Sequence, residues 1–122
     1  FSNLAFLTDP TIPAPNQGLG AAAGWFATEN IYLVGGIADA NGDPARPEEF
    51  FDSFFDTREY FTHFELGWTP SADRVYLDNI HLTAWQADER IDAATPDGWG
   101  LAFSASTLIN DEWMHFLRAG YA

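Results

Sequence analysis

Tyr60-Phe61-Thr62-His63-Phe64-Glu65-Leu66-Gly67-Trp68-Thr69, then Pro70-Ser71-Ala72-Asp73, then Arg74-Val75-Tyr76-Leu77-Asp78-Asn79-Ile80-His81-Leu82-Thr83-Ala84-Trp85-Gln86, is the stretch that decides the fold. Successive side chains of a β-strand point to opposite faces, so a strand buried or wetted on one side alternates in polarity. Tyr60, Thr62, Phe64, Leu66 and Trp68 share one face, and Phe61, His63, Glu65 and Gly67 the other. In the second run, Tyr76, Ile80, Leu82 and Ala84 oppose Asn79, His81, Thr83 and Trp85. Pro70 to Asp73 supplies turn chemistry between the two runs, which predicts a hairpin of Tyr60–Thr69 and Arg74–Gln86. Asp78 falls on the apolar row, near enough to the turn to reach water or headgroups.

The same plan extends outward. Gly98–Leu108 carries Trp99, Leu101, Phe103 and Ala105 on one face against Gly98, Gly100, Ala102, Ser104 and Ser106. After Asn110-Asp111-Glu112, the run Trp113–Tyr121 sets Trp113, Leu117, Ala119 and Tyr121 against Met114, Phe116, Arg118 and Gly120. Upstream, Gly18–Ala27 and Ile31–Asn41 form a weaker hairpin across Thr28-Glu29-Asn30. Its apolar set is Leu19, Ala21, Ala23 and Trp25 with Tyr32, Val34, Gly36 and Ala38, which turns Asp39 and Asn41 to the wet face. Trp25, Trp68, Trp99, Trp113, Tyr60 and Tyr121 fall near strand ends, as an interfacial aromatic girdle does. Short turns alternate with longer connectors, the rhythm of a membrane barrel. The expected fold is therefore all-β, an antiparallel transmembrane β-barrel wall of about six strands.

The connectors are acidic. Gly42–Glu59 holds Asp43, Glu48, Glu49, Asp52, Asp56 and Glu59, and Ala87–Asp97 holds Asp88, Glu89, Asp92 and Asp97. Within residues 42–59, Pro47-Glu48-Glu49 followed by Phe50, Phe51, Phe54 and Phe55 at helical spacing predicts a short amphipathic helix that packs on the wall. Asp39-Ala40-Asn41-Gly42-Asp43 imitates the start of a calcium loop, but Phe50 stands where the bidentate glutamate belongs, so a turn is the expected structure. Pro10, Pro13 and Pro15 predict an irregular Phe1–Gln17.

Composition sets limits. The chain has 122 residues, a net charge of −13, no cysteine and no lysine, its fixed cations being Arg46, Arg58, Arg74, Arg90 and Arg118. A disulfide framework and a cysteine metal site are excluded, and so is nucleic-acid binding through a basic patch. No run approaches the roughly 18 apolar residues of a transmembrane helix. Without an initiating methionine or signal peptide, the chain reads as a mature or excised piece. Six strands fall short of the about eight in the smallest spanning barrels, so residues 1–122 are expected to be one segment of a larger barrel, completed by further strands or further copies.

Tyr60 to Ser71, Arg74 to Trp85 with Asp88-Glu89-Arg90, and Gly98 to Ser104 together resemble the carbohydrate-selective porin family (OprB type). Phe1-Ser2-Asn3, Asn41-Gly42 and the phenylalanine-rich loop extend the likeness over essentially the whole chain. The resemblance implies a bacterial outer-membrane porin through which sugars diffuse. Its partners would be sugars, outer-membrane lipid and the remaining strands of the barrel. The chain departs from the family in being shorter than its members and in finishing on Ala122, where an intact barrel usually ends on an aromatic residue.

A sugar offers hydroxyls all round and weakly apolar ring faces, so a selective path needs hydrogen-bonding groups beside aromatic surfaces. The inward set supplies both: Asp39, His63, Glu65, Asn79, His81, Thr83, Trp85 and Arg118 are the candidate path residues. Asn41, Phe61 and Glu89 flank them. No proton or covalent bond need move, so neither catalytic residue, cofactor nor metal is expected. Two other classes compete with this reading. A soluble carbohydrate-binding β-module would use Trp85 and the polar face as a platform. A two-carboxylate hydrolase would need Glu65 and Asp78 together, but alternation puts them on opposite faces.

Overall fold

The computed structural model describes residues 11–12, 18–43, 45–90 and 94–122. They form six strands: β1 (Gly20–Phe26), β2 (Ile31–Asp39), β3 (Tyr60–Trp68), β4 (Asn79–Ala87), β5 (Gly98–Ile109) and β6 (Trp113–Tyr121). Each pairs antiparallel with the next in chain order, giving one sheet whose edges are β1 and β6 and which does not close on itself. The all-β antiparallel expectation holds, and every predicted hairpin is present. No helix among the described residues is long and apolar enough to cross a membrane, which says nothing of a β-barrel.

The predicted tight turn from Pro70 to Asp73 is a correction. β4 begins at Asn79, and residues 69–78 form a compact connector with a 3-10 turn at Ala72–Arg74. Local hydrogen bonds there outcompete the ladder that Val75 to Leu77 could have joined. Thr69 Oγ1 donates to the carbonyls of Ser71 (3.0 Å) and Asp78 (2.8 Å), and the amides of Leu77 and Asp78 both donate to the Arg74 carbonyl at 2.8 Å. Asp78 accepts from Thr107 Oγ1 at 2.8 Å, from the Leu108 amide at 2.9 Å and from Arg74. It therefore reaches for β5 rather than for headgroups. The Leu108 amide, the Thr107 hydroxyl and Arg74 hold its carboxyl below the ordinary aspartate value. Asn30 braces the same end, donating to the carbonyls of Thr69 (3.1 Å) and Pro70 (2.7 Å). Connector length consequently alternates less than expected, because residues 69–78 and 88–97 are equally long.

The long connector carries helical turns at Pro47–Glu49, Phe50–Asp52 and Ser53–Thr57. Phe54 packs against Tyr60 with centroids 5.1 Å apart and rings tilted by 58°, while Phe51 and Phe55 stay exposed, so only one side of the run is seated. The calcium-like run is two turns, the amides of Asn41 and Ala45 donating to Asp39 and Asp43 Oδ1, each at 2.9 Å. Apart from Thr11 and Ile12, the expected irregular Phe1–Gln17 lies outside the described residues, as does Asp92.

The two faces of the sheet differ: one exposes large apolar side chains, and the other buries polar and ionisable ones beside an apolar cluster. Phe64, Leu66, Trp68, Ile80, Leu82, Trp99, Leu101 and Leu117 are exposed on the outer face, Leu66 by 49 % and Leu117 by 64 %. On the inner face Glu65 and Thr83 are fully buried, and Asn79, His81 and Ser104 nearly so. Ile12 reaches this inner face, joining Phe61, Trp85, Ala87 and Ala102 in a buried apolar cluster.

Strand β2 corrects a second expectation. Pairing sets Tyr32 opposite Gly67, Val34 opposite Glu65 and Gly36 opposite His63. Tyr32, Val34, Gly36 and Ala38 thus share the inner face, and Ile31, Leu33 and Ile37 the outer. β1 keeps its expected outward row of Ala21, Ala23 and Trp25, since Trp25 pairs with Leu33.

Candidate functional site

Two cross-strand rows organise the inner face. One runs Val34, Glu65, Thr83, Ala102, Gly120 and the next runs Tyr32, Gly67, His81, Ser104, Arg118, with every neighbour directly paired across the ladder. Such opposed side chains lie about 4.5–5.5 Å apart at Cβ, close enough to act on one another. A third row brings Gly36, His63, Trp85 and Gly100 alongside. Seven of the eight predicted path residues therefore share one face: His63, Glu65, Asn79, His81, Thr83, Trp85 and Arg118.

Asp39 is the exception. Alternation along β2 puts it on the row of Ile37, opposite Tyr60, and it is completely buried at the strand end beside Gly18 and Gly42. Its Oδ1 caps the Asn41 amide, so the carboxylate shapes the exit from β2. Asn41 faces Glu59 instead, bonding its carboxylate. Glu89 is exposed in the connector after β4.

Glu65 is the centre of the cluster. Thr83 Oγ1 donates to its Oε2 at 3.2 Å, and Oε1 has no hydrogen-bond partner among the described residues. His81 Nδ1 lies 3.0 Å from Asn79 Oδ1, whose amide nitrogen donates to the Val75 carbonyl at 2.7 Å. His81 Nε2, Trp85 Nε1 and Arg118 Nε are likewise buried without partners among the described residues. Buried polar groups ordinarily find partners, and a lone buried carboxylate oxygen is expensive. Acceptor and donors are thus left open on one patch of wall. Beside them Phe61 and Trp85 lie nearly parallel, their centroids 6.3 Å apart at 20°, and Arg118 stands 4.9 Å from the Phe116 ring centre.

Tyr32 was missed, because its strand is apolar on both rows and its facing cannot be read from β2 alone. The available signal was Gly67, a residue without a side chain in an otherwise substituted row.

A second concavity, an open pocket of about 550 Å³, lies in the long connector and is lined by Asn41, Asp43, Arg46, Glu49 and Phe50 among others. Arg46 spans it, 3.0 Å from Asp43 and 2.7 Å from Glu49. The Ala45 amide and then Arg46 hold the Asp43 carboxyl below its ordinary value. None of the eight predicted residues lines this pocket. No group of three or more histidine, aspartate or glutamate side chains among the described residues is arranged to hold a metal ion.

Comparison of the chain with family models, with curated proteins and with solved structures finds no match.

Proposed function

We propose that this chain is part of the wall of an outer-membrane porin barrel, and that carbohydrates diffuse along its inner face. One observation carries the reading: the face that buries Glu65, His81 and Thr83 lies opposite a face that exposes Leu66, Ile80, Leu82, Leu101 and Leu117. On the exposed face the aromatic residues stand at several heights. Trp113 and Trp68 stand toward one end of the strands and Trp99 at the other, and between them lie the row of Leu66 and Leu82, which Trp25 joins, and the row of Phe64 and Leu101, which Tyr121 joins. From Trp113 to Tyr121 is about 27 Å along the strand at the usual rise, or roughly 20 Å along the normal at a tilt near 40°. That is close to the apolar band of a membrane barrel, about 25 Å tall. A water-soluble sugar-binding module would have to leave this whole face in contact with water.

The inner face supports the cargo. Open acceptors and donors on Glu65, His81, Trp85 and Arg118 suit hydroxyls, the flat guanidinium offering a fixed fork, and Phe61 with Trp85 offers an apolar ring surface. Such groups bind weakly enough to release, as diffusion requires. Passage along these rows displaces the Ile12 side chain from its seat. The sequence resemblance to carbohydrate-selective porins agrees with both faces.

Planar bilayers test the reading. In the full-length protein, Arg118→Ala and Trp85→Ala should each weaken sugar block of ion current while current persists. Parental sugar block in both variants would remove these residues from the path, and a conducting parent indifferent to sugar would replace the selective reading with a general pore.

A further inference from the structure

Three rings of the inner face lie across glycines of the adjacent strand. A methyl group at Gly67 would overlap the Tyr32 ring, one at Gly36 would overlap His63, and one at Gly100 would overlap Trp85. Gly67 occupies the position between Tyr32 and His81 in the row, so the ring spans the gap that its missing side chain leaves. The phenol ends beside Glu65, on the side away from Thr83, and the tyrosine is only 3 % exposed. Thr83 donates to Glu65 Oε2 from one side, while Glu65 Oε1 and the Tyr32 hydroxyl are both buried without a hydrogen-bond partner among the described residues. An aromatic laid over a glycine also stops the gap in the wall and fixes its own rotamer, which loose packing would not do.

We propose that Tyr32, seated on Gly67, lines the path and sets its selectivity for polyhydroxylated solutes together with Glu65; the proposal rests on the porin reading above. The ring narrows the path at the Glu65 row, and its hydroxyl presents a second donor and acceptor to a passing diol. A tyrosine on the lipid side of β2, where alternation alone put it, could do neither.

The chain has no cysteine, so a single thiol can be introduced cleanly. Tyr32→Cys in the full-length protein, exposed to a water-soluble, membrane-impermeant thiol reagent during recording, should show a stepwise fall in current, while the neighbouring outward residue exchanged as Leu33→Cys should show none. Loss of one neutral hydrogen bond in Tyr32→Phe should weaken sugar block by about 3- to 10-fold. Gly67→Ala, which unseats the ring, should weaken it at least as much, and Leu33→Ala should leave it at the parental value. No current change on modification of Tyr32→Cys overturns the placement, and parental sugar block in Tyr32→Phe overturns the selectivity role. If the parent shows no sugar block but the thiol still lowers current, the carbohydrate reading fails and Tyr32 stands as a wall residue of the path.

Discussion

Arginine in place of Leu82 separates a lipid-facing wall from a soluble sheet by energy alone. Leu82 sits mid-strand on the outer face of β4, 46 % exposed, in a row with Leu33, Leu66 and Phe103 and one row in from the row that pairs Trp68 with Ile80. If that face meets water, exchanging one exposed side chain for another changes stability by about 0.5 kcal/mol or less. If it meets hydrocarbon near the midplane, the charge costs roughly 2–4 kcal/mol. The second figure is a factor of about 30 to 900 in the folded population, well outside the error of a denaturant titration. Depth sharpens the contrast. Ile80 lies about 7 Å along the strand from Leu82 and pairs directly with Trp68, so Ile80→Arg and Trp68→Arg should both cost less than Leu82→Arg, toward the roughly 0–1 kcal/mol expected near an interface. The assay is reversible urea unfolding of the full-length protein in lipid vesicles, read by tryptophan fluorescence. Three variants within 0.5 kcal/mol of the parent and of one another would refute the lipid-facing assignment.

Asn110 and Asp111 both hold positive φ, 53° and 57°, in the β5–β6 turn, where glycine carries no steric penalty. Asp111→Gly should therefore stabilise the protein by roughly 0.5–1 kcal/mol in the same titration, and a loss of stability would show that the aspartate side chain matters more than its backbone. The Asp78 carboxyl is lowered from 3.8 in the fold, so its bonds stabilise fully above about pH 4 and are lost as pH falls through the lower folded value. Amide exchange at Leu108 should accelerate below that point, and Asp78→Asn should flatten the pH profile; an unchanged profile would place the acid response elsewhere.

Much of this architecture was legible because β3 to β6 alternate in chemistry as well as in position. His63 and Glu65 between Phe64 and Leu66, or His81 and Thr83 between Ile80 and Leu82, leave only one facing. β2 offered no such contrast: Tyr32 and Val34 on one row are as apolar as Leu33 and Ile37 on the other. Its facing follows from tertiary fit, a ring that needs Gly67 beneath it, and a period-2 reading holds no information about that partner. Asp39 was misread with it, since one shift in facing moves the whole strand. The connector 69–78 hid for another reason. Val75-Tyr76-Leu77 has strand composition, and the hydrogen bonds of Thr69, Arg74, Asp78 and Asn79 hold it out of the ladder. Within the site, seven predicted residues converge because they sit on strands whose register was readable.

Among the described residues the edges of β1 and β6 are unpaired, which on the proposed porin reading sets an order of events. Each edge strand turns about half its backbone groups outward, on the order of four amides and four carbonyls for a nine-residue strand. In hydrocarbon every one of these costs several kcal/mol, a total beyond the entire stability of an ordinary domain. A sheet serving as the proposed porin wall could therefore not wait in the bilayer for its neighbours. On the proposed porin reading, insertion and the pairing of both edges would then be a single cooperative step, and any intermediate with a free edge would have to be sheltered at the membrane surface or by an assembly factor until the last strand is in place.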